Sequence, residues 1–335
     1  MNMHAGPRGA HMAVAALLGA VLLLGGCAPA PDMRPVQAER SKPVQRFDSF
    51  QSAASNGRWI VAGAAGGVIV ASADAGASWT RHVLPQPSSI VAMTACPDGS
   101  FAALDFYKKV WVADAEVAAW TPRPLPSPSD VLALSCDPAN RLWVAGAHTT
   151  LMVSADRGAN WQRQDLGEDA ILTSVQFIDE RHAVATGEFG TVLRSRDAGA
   201  SWQKAAPMPG EFYPYATLFI DGQTGWASGL AGVILATTDG GNTWAPQDNP
   251  SGVPIYALLK LGDRVYGVGA GGRMVTQRGG QWQRFEPGAH AVSQPVAGAA
   301  LDARSLFVAG AGGALAVIKL PEPLTLAASL PRQAD

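Results

Sequence analysis

Few residues of this 335-residue chain have the types and spacing that catalysis needs. The nearest match is Glu211 with Tyr213 or Tyr215, because a Tyr activated by a carboxylate can act as a nucleophile in glycoside hydrolysis. The segment 267–272 matches Gly-x-Gly-x-x-Gly, but it lies in a predicted hairpin with no helix after it, so we predict no nucleotide site. No metal site or other cofactor is predicted, because no two histidines after the N-terminal segment have metal-ligand spacing; they lie at positions 82, 148, 182 and 290.

Cys27 has the clearest chemistry in the sequence. It follows a weakly basic start with Arg8 as its only charge, and an apolar run from Met12 to Leu24. This pattern is typical of a secretory signal and is too short for a stable membrane-spanning helix. The phrase Leu-Gly-Gly-Cys that ends at Cys27 resembles a bacterial lipobox, in which the Cys becomes the lipidated first residue. The alternative is an ordinary signal peptide followed by an unrelated Cys.

The lipobox resemblance implies cleavage before Cys27. We therefore expect a signal peptide over 1–26, and a lipidated Cys with a Pro-rich tether over 27–45. Ala28 stands where an inner-membrane retention signal usually has Asp, which favours an exported lipoprotein of the outer membrane that faces the periplasm. No helical periodicity is visible after Cys27, so we expect no helix there.

The composition excludes two classes of protein. Hydrophobic residues make up 47% of the chain, which argues against disorder. A net charge of -2 without a basic block gives no reason to expect a nucleic-acid partner. The many turn residues, 37 Gly and 24 Pro, favour short strands over long helices.

A repeat organises the chain after residue 45. Six Trp residues lie at 79, 120, 161, 202, 244 and 282, at spacings between 38 and 42. An apolar segment that ends in a marker residue recurs at a similar period and raises the count to seven; the marker positions are Gly63, Asp105, Gly146, Gly187, Gly229, Gly269 and Gly310. Within one repeat, runs of 4 to 8 residues alternate with turn residues.

These features predict an all-β fold, a seven-bladed β-propeller of four-stranded blades over residues 46–332, forming a monomeric ring. A solenoid is the alternative, but it would need polar end caps that the sequence does not show.

Four of the Trp residues end the same phrase, Ser/Thr-x-Asp-x-Gly-x-x-Trp. This phrase resembles the Asp-box or BNR repeat, and the whole repeat is most similar to the photosystem II stability/assembly factor-like family. Locally, we expect the Ser and Asp oxygens to accept backbone N–H bonds, the Gly to take a positive φ, and the Trp to pack between hairpins. The alternative of a calcium or ligand site at each turn has only one carboxylate per turn. The residues of these structural Asp boxes are Ser72, Asp74, Gly76, Trp79, Ser154, Asp156, Gly158, Trp161, Ser195, Asp197, Gly199, Trp202, Thr237, Asp239, Gly241 and Trp244.

The hairpins between second and third strands, with the loops between blades, form the usual binding face of a propeller. The aromatic, His and acidic residues predicted there are candidates for binding a partner, although they could also only plug the channel mouth. They are Phe106, Tyr107, His148, Glu188, Phe189, Glu211, Tyr213, Tyr215 and Tyr256.

A recurring Arg lies near the opposite face in five repeats, and the family resemblance implies an Arg-lined protein-binding patch. Acids lie close to all but the first, so local ion pairs are the alternative. The positions are Arg58, Arg141, Arg181, Arg264 and Arg304.

The remaining two thiols, Cys96 and Cys136, could form a disulfide in an oxidising compartment. They are 40 residues apart in a 41-residue frame, and a one-residue offset turns one side chain to the opposite face of a strand. Both outcomes stay open.

The function expected from the sequence is that of a lipid-anchored, exported, non-catalytic propeller. It would hold an envelope or membrane protein of unknown identity, as an assembly or stability factor. The alternative is a carbohydrate-binding propeller or a sialidase-like glycoside hydrolase.

Overall fold

The computed structural model describes residues 31–287 and 295–320, and its strands form seven antiparallel sheets. Six sheets have four strands, and the seventh has three among the described residues. Within each sheet the strands lie side by side in chain order, so each sheet is one repeat of the sequence. The predicted seven-bladed β-propeller is confirmed.

The strands are short because each apolar run ends at a turn residue. The second strand of the first blade has the sequence Ile-Val-Ala-Gly-Ala and is buried along its whole length, as expected for a strand covered on both faces. The blades in chain order are β1 (Phe50–Ser55), β2 (Ile60–Ala64), β3 (Val68–Ser72), β4 (Thr80–Val83); β5 (Ile90–Ala95), β6 (Phe101–Asp105), β7 (Lys109–Ala113), β8 (Thr121–Pro124); β9 (Val131–Cys136), β10 (Leu142–Gly146), β11 (Thr150–Ser154), β12 (Gln162–Asp165); β13 (Leu172–Phe177), β14 (Ala183–Gly187), β15 (Val192–Ser195), β16 (Gln203–Lys204); β17 (Pro214–Phe219), β18 (Gly225–Gly229), β19 (Ile234–Thr237), β20 (Ala245–Gln247); β21 (Ile255–Leu261), β22 (Arg264–Gly269), β23 (Met274–Arg278), β24 (Gln281–Phe285); β25 (Pro295–Asp302), β26 (Ser305–Gly310) and β27 (Leu315–Lys319).

One α-helix, α1 (Arg34–Arg40), precedes the propeller, and the expectation that no helix follows Cys27 was wrong. Pro35 lies in its first turn, where a fixed φ favours a helix start. None of its residues is buried, so the helix has no apolar face that a periodic pattern could reveal. Within the described ranges, no helix combines the length and hydrophobicity needed to cross a membrane.

The first strands of the blades form the inner ring of the propeller, because each packs against the first strands of both neighbouring blades. Since the chain reverses at every turn, the second-to-third strand hairpins and the inter-blade loops share one face, here called the hairpin face. The first-to-second strand turns and the Asp boxes share the other, here called the Asp-box face.

Four marker Gly residues stand where the backbone of an inter-blade loop approaches closely: Gly146, Gly187, Gly229 and Gly269. In Gly146 and Gly187 the backbone is extended, with φ of -174° and -169°. A Cβ atom there would collide with the carbonyl oxygen of the inter-blade loop, that of Asp130 or Ile171. Glycine is therefore required by space and not by backbone conformation.

The hydrophobic core is a ring of seven clusters among the described residues, with one cluster between each pair of neighbouring blades. The cluster between the seventh and first blades joins Phe307 of β26 to Phe50 and Ile60. Trp79 packs on Phe307 with the ring centroids 5.6 Å apart. The ring is thus closed by the same kind of packing that joins the other blades.

A buried ion pair supports this closure. Asp48, 4% exposed, accepts two hydrogen bonds from the guanidinium of Arg81, at 2.8 and 2.9 Å. Its carboxylate also accepts the backbone N–H of Gln45, and its backbone carbonyl oxygen accepts that of Gly313 in the seventh blade. Asp48 therefore connects the first blade to the last.

We expect Asp48→Asn to lower the free energy of unfolding by about 3 kcal/mol, because it leaves the Arg81 guanidinium without its buried carboxylate. Asp165→Asn, which breaks the exposed pair with Arg163, is the matched control and should cost less than about 1 kcal/mol. Urea unfolding measures both. Equal losses in the two variants would show that Asp48 has no special role in closure.

Candidate functional site

The Asp boxes are networks of local hydrogen bonds. In the first blade, Ser72 Oγ accepts the backbone N–H of Gly76 at 2.8 Å and donates to Asp74 Oδ1 at 2.7 Å. Asp74 Oδ1 also accepts the backbone N–H of Ser78 at 2.9 Å. Gly76 has a φ of +86°, in the left-handed region that favours glycine. The geometry is that of a closed turn with its donors satisfied.

The same bonds recur in the third, fourth and fifth blades. The hydroxyl oxygens of Ser154, Ser195 and Thr237 accept the N–H of the box glycine at 2.7 to 2.8 Å. Hydrogen bonds from the turn lower the pKa of the box carboxylates to about 2; these belong to Asp74, Asp156, Asp197 and Asp239. No group of three or more metal-ligating side chains occurs in the described part of the chain.

The tryptophans that recur with the repeat lie at blade interfaces. Trp202 packs edge-on against Trp143 of the preceding blade, with the centroids 6.1 Å apart, and Trp282 packs in the same way on Trp226, at 6.2 Å. Trp202 and Trp282 are 8% and 6% exposed. These rings belong to the scaffold.

The hairpin face carries the exposed aromatic side chains. Phe106 and Tyr107 at the tip of the second blade are 53% and 50% exposed, and their rings contact each other edge-on. Phe189 at the tip of the fourth blade is 58% exposed, and Leu230 at the tip of the fifth is 53% exposed. The sequence did not single out Leu230, because this tip carries no aromatic, His or acidic residue.

Three tyrosines cluster on the same face near the inner ring. The ring centroids of Tyr213 and Tyr215 are 6.0 Å apart, and those of Tyr215 and Tyr256 are 5.5 Å apart. Tyr215 and Tyr256 each follow the first residue of an innermost strand, β17 or β21, at a β-bulge. A bulge redirects a side chain, and it brings together here two residues that are 41 positions apart.

The structure does not join Glu211 to a tyrosine. Glu211 makes no hydrogen bond or ion pair with Tyr213 or Tyr215. Burial raises the pKa of Tyr213, and the charge of Glu188 raises it further. Glu188 is held by its Oε2 atom, which accepts the backbone N–H of Ile171 at 3.0 Å. The Tyr/Glu pair expected for glycoside hydrolysis is therefore not assembled around Glu211.

His148 lies between a hydroxyl and a carboxylate. Its Nδ1 atom is 3.3 Å from Ser129 Oγ, and its Nε2 atom is 4.0 Å from Asp169 Oδ1. The side chains of His148 and Asp169 are 62% and 102% exposed. A nucleophile, base and carboxylate used for acyl transfer need a site that excludes water, and this arrangement lies in solvent.

The recurring arginines do not form a uniform ring. Arg141 pairs with Asp137 at 2.6 Å and donates to the carbonyl oxygen of Ala198, so its guanidinium is already engaged. Near Arg181, Asp179 pairs with His182 instead. Arg58, Arg181 and Arg304 are exposed, and Arg264 is half-buried. The local ion pair considered from the sequence is present at Arg141.

Two buried carboxylates organise the turns near these sites, and sequence reasoning did not assign them this role. Asp105 is fully buried and accepts hydrogen bonds from the backbone N–H groups of Ser89 and Tyr107 and from Trp111 Nε1. Asp137 likewise accepts Trp143 Nε1 at 2.9 Å. Asp105 stands at a marker position, and that departure from Gly was the only available signal.

Cys96 and Cys136 are joined in a disulfide, with their Cα atoms 5.1 Å apart. The one-residue offset does not separate them, because Cys96 lies beyond the end of β5, in a turn where its N–H donates to the carbonyl oxygen of Ser100. The alternation of strand faces does not apply in such a turn. Cys27 lies outside the described residues.

The fold and the repeated turns define the class of the protein, an Asp-box β-propeller. The family model described as photosynthesis system II assembly factor YCF48 matches residues 159–256, less than a third of the chain. The predicted resemblance to this family is confirmed for that part. No protein with a curated description matches the sequence significantly.

Solved structures of low sequence identity share the fold. A YCF48 from Cyanidioschyzon merolae has a TM-score of 0.65 and 15% identity, covering 83% of this chain and 97% of that one. A YCF48 bound to D1 peptide has a TM-score of 0.58 and 16% identity, covering 70% and 79%. A catalytically inactive virginiamycin B lyase from Staphylococcus aureus with quinupristin has a TM-score of 0.71 and 10% identity, covering 82% and 96%. One fold thus occurs in assembly factors and in an enzyme, so it does not decide the function.

The Asp boxes lead to a pH-dependent prediction. The folded pKa of Asp197 is about 2 and its ordinary value is 3.8, so the unfolded chain takes up the proton first as the pH falls. The stabilisation is complete above about pH 5, and it is lost as the pH falls from about 4 to 2. We expect Asp197→Asn to lower the free energy of unfolding at pH 7 and the difference from wild type to shrink over that interval.

Asp263→Asn is the control for this experiment, because the Asp263 carboxylate accepts no hydrogen bond from the described residues. At pH 7 it should lower the free energy of unfolding less than Asp197→Asn does, because no hydrogen bond is lost. Denaturant unfolding at several pH values measures both variants, and a constant Asp197→Asn difference down to pH 2 would contradict the prediction.

Proposed function

We propose that the chain is an exported, lipid-anchored, non-catalytic propeller that binds another protein through its hairpin face, as an assembly or stability factor of an envelope or membrane complex. The observation that carries this proposal is the set of exposed apolar hairpin tips, Phe106, Tyr107, Phe189 and Leu230. Each of these side chains is at least half exposed, so packing in the core does not explain aromatic or large aliphatic residues at these loop tips. Aromatic residues that are exposed on a rigid frame are typical of protein interfaces.

The comparisons support the class of this function. The matched family segment includes the hairpin tips of the fourth and fifth blades, with Phe189 and Leu230. A structural neighbour of this family is bound to a peptide of another protein. Among the described residues, the polar groups on the hairpin face are either engaged in turn hydrogen bonds or open to solvent, which suits recognition better than catalysis.

The lipid anchor would confine the protein to a membrane surface, so it would meet only partners at that surface. The support for the anchor is the Leu-Gly-Gly-Cys phrase after a short apolar run. A single lipid-modified Cys with more than one acyl chain would hold the propeller at the membrane, which raises its local concentration near a membrane-bound partner.

The anchor has a direct test. Cys27→Ser, expressed in a bacterium that processes lipoproteins, should move the protein from the membrane fraction to the soluble fraction after cell breakage. Metabolic labelling with a clickable palmitate analogue should mark the wild type and not the variant. Labelled Cys27→Ser protein, or a wild type that is soluble and unlabelled, would refute the anchor.

Partner binding is tested by capture from cells that express the chain at its native level. The full-length protein is cross-linked, solubilised in detergent and purified, and it should retain one stoichiometric protein. Phe106→Ala, Tyr107→Ala and Phe189→Ala combined should lower the recovery at least about tenfold, because interface aromatics carry much of the binding energy.

The opposite face supplies the matched control. Arg141→Gln, Arg181→Gln and Arg264→Gln combined should leave the recovery unchanged. Loss in the Arg variant with retention in the aromatic variant would move the site to the Asp-box face and refute the proposal. Hydrolysis of a fluorogenic glycoside that is lost in Glu211→Gln would show a glycosidase and refute the non-catalytic assignment.

A further inference from the structure

The tyrosine cluster has a shape that restricts its ligands. The planes of Tyr213 and Tyr215 are inclined by 67°, and those of Tyr215 and Tyr256 by 58°. Consecutive rings therefore form two shallow V-shaped grooves rather than one flat platform. Tyr215 is 37% exposed and forms the ridge between the grooves, while Tyr213 and Tyr256 are half-buried.

The backbone holds these rings in place. Tyr215 and Tyr256 occupy the bulge positions of adjacent innermost strands, β17 and β21, which pack side by side. The neighbouring backbone is tied by Thr173, whose Oγ1 atom donates to the carbonyl oxygen of Pro214 at 3.1 Å. Ser228 Oγ donates to the carbonyl oxygen of Ile255 at 3.0 Å. The grooves are formed before any ligand binds.

The polar groups of the cluster are free to meet a ligand. None of the three tyrosine hydroxyls has a hydrogen-bond partner among the described residues, so each can donate to a ligand carbonyl. Glu188 lies on the hairpin tip whose Gly190 N–H donates to the carbonyl oxygen of Phe212, the residue before Tyr213. Its carboxylate accepts the backbone N–H of Ile171 and makes no ion pair within the described ranges. Glu211, in the same inter-blade loop, is exposed and also has no such ion pair. The site thus combines aromatic grooves, free donors and uncompensated negative charge.

The geometry favours one class of ligand. Sugar rings stack on flat aromatic faces, and tilted rings offer no continuous platform. An extended polyproline II segment has three residues per turn, a ridged apolar surface and solvated carbonyl groups. Such a segment fits aromatic grooves with hydroxyl donors and loses little conformational entropy when it binds. A basic residue beside the prolines would meet Glu188.

We propose that the grooves between Tyr213, Tyr215 and Tyr256 bind a proline-rich, arginine-containing extended segment of the partner protein, with the arginine directed to Glu188. This proposal rests on the proposed function and names the chemistry of the partner. The two proposals can be tested separately. A chain that captures its partner protein but does not bind the proline-rich peptide would refute only this proposal.

Fluorescence anisotropy of the full chain with labelled peptides tests it. The probe is a decaproline peptide with an arginine at each end. One control has glutamate at each end, and the other is a glycine–serine peptide of the same length with arginine at each end. We expect saturable binding of the first and at least about tenfold weaker binding of both controls. If the glycine–serine peptide bound equally well, the binding would depend on charge alone, and the proposal would be overturned.

Variants locate the site. Tyr215→Ala and Tyr256→Ala should each weaken binding about fivefold, and Tyr215→Phe should weaken it about threefold because only a hydroxyl is lost. Glu188→Gln should weaken the arginine peptide and not the glutamate peptide. Val83→Ala, at an exposed position of the outer strand β4, is the control and should bind normally. Unchanged binding in both Ala variants, or oligosaccharide binding that these variants abolish, would overturn the proposal.

Thermal unfolding of each variant shows whether it is folded. If an Ala variant unfolds, the double change Tyr215→Phe with Tyr256→Phe replaces it, since the rings and their packing are retained. That double variant should bind about tenfold more weakly, and wild-type affinity would refute the role of the hydroxyls.

Discussion

The closure of the ring is the constraint on which the rest of the structure depends. Seven blades of similar size can form a closed ring only if apolar side chains pack in a similar way at every interface between blades. The chain meets this requirement with one hydrophobic cluster at each interface, including the interface between its first and last blades. The ion pair of Asp48 with Arg81 is placed at that junction, where the two partners of the interface are farthest apart in sequence. A closed ring also leaves no sheet face uncovered, which explains why the middle strands of the blades can be apolar on both sides.

The repeat made the fold predictable, because a period of about 41 residues with turn chemistry at fixed offsets specifies both the blade and the number of blades. The Asp boxes could be interpreted in the same way, since Ser72, Asp74 and Gly76 interact only with their own turn. Contacts that depend on how the chain folds in three dimensions could not be predicted from the sequence. The buried roles of Asp105 and Asp137 depend on Trp side chains six residues later that fold back onto them. The disulfide depends on how the chain leaves β5, where a strand-based frame no longer applies.

The sequence predicted which face of the propeller carries the candidate site, but not how the side chains on that face are arranged. Hairpin tips follow directly from strand order, so Phe106, Tyr107 and Phe189 could be placed before the structure was known. The contact between Tyr215 and Tyr256 could not, because it needs two bulges that a single sequence does not announce. The carboxylates of the two faces also have different surroundings. The carboxylates of the Asp boxes accept hydrogen bonds from their own turns, whereas Glu188 on the hairpin face accepts one backbone N–H and makes no ion pair among the described residues.

The bulges have a consequence for how such a protein could acquire or change a specificity. All seven innermost strands carry a register shift after their first residue, and the displaced residues are Gln51, Val91, Leu132, Thr173, Tyr215, Tyr256 and Val296. None of them takes part in the ladder pairing at that point, and none is fully buried. The ring therefore offers seven equivalent positions around one opening. Thr173 bonds the backbone of the next blade through its side chain, so the other six are the positions that can be exchanged with little effect on the scaffold. For protein engineering, they are a ring of positions at which side chains could be varied. The native chain has aromatic residues at two adjacent ones, Tyr215 and Tyr256.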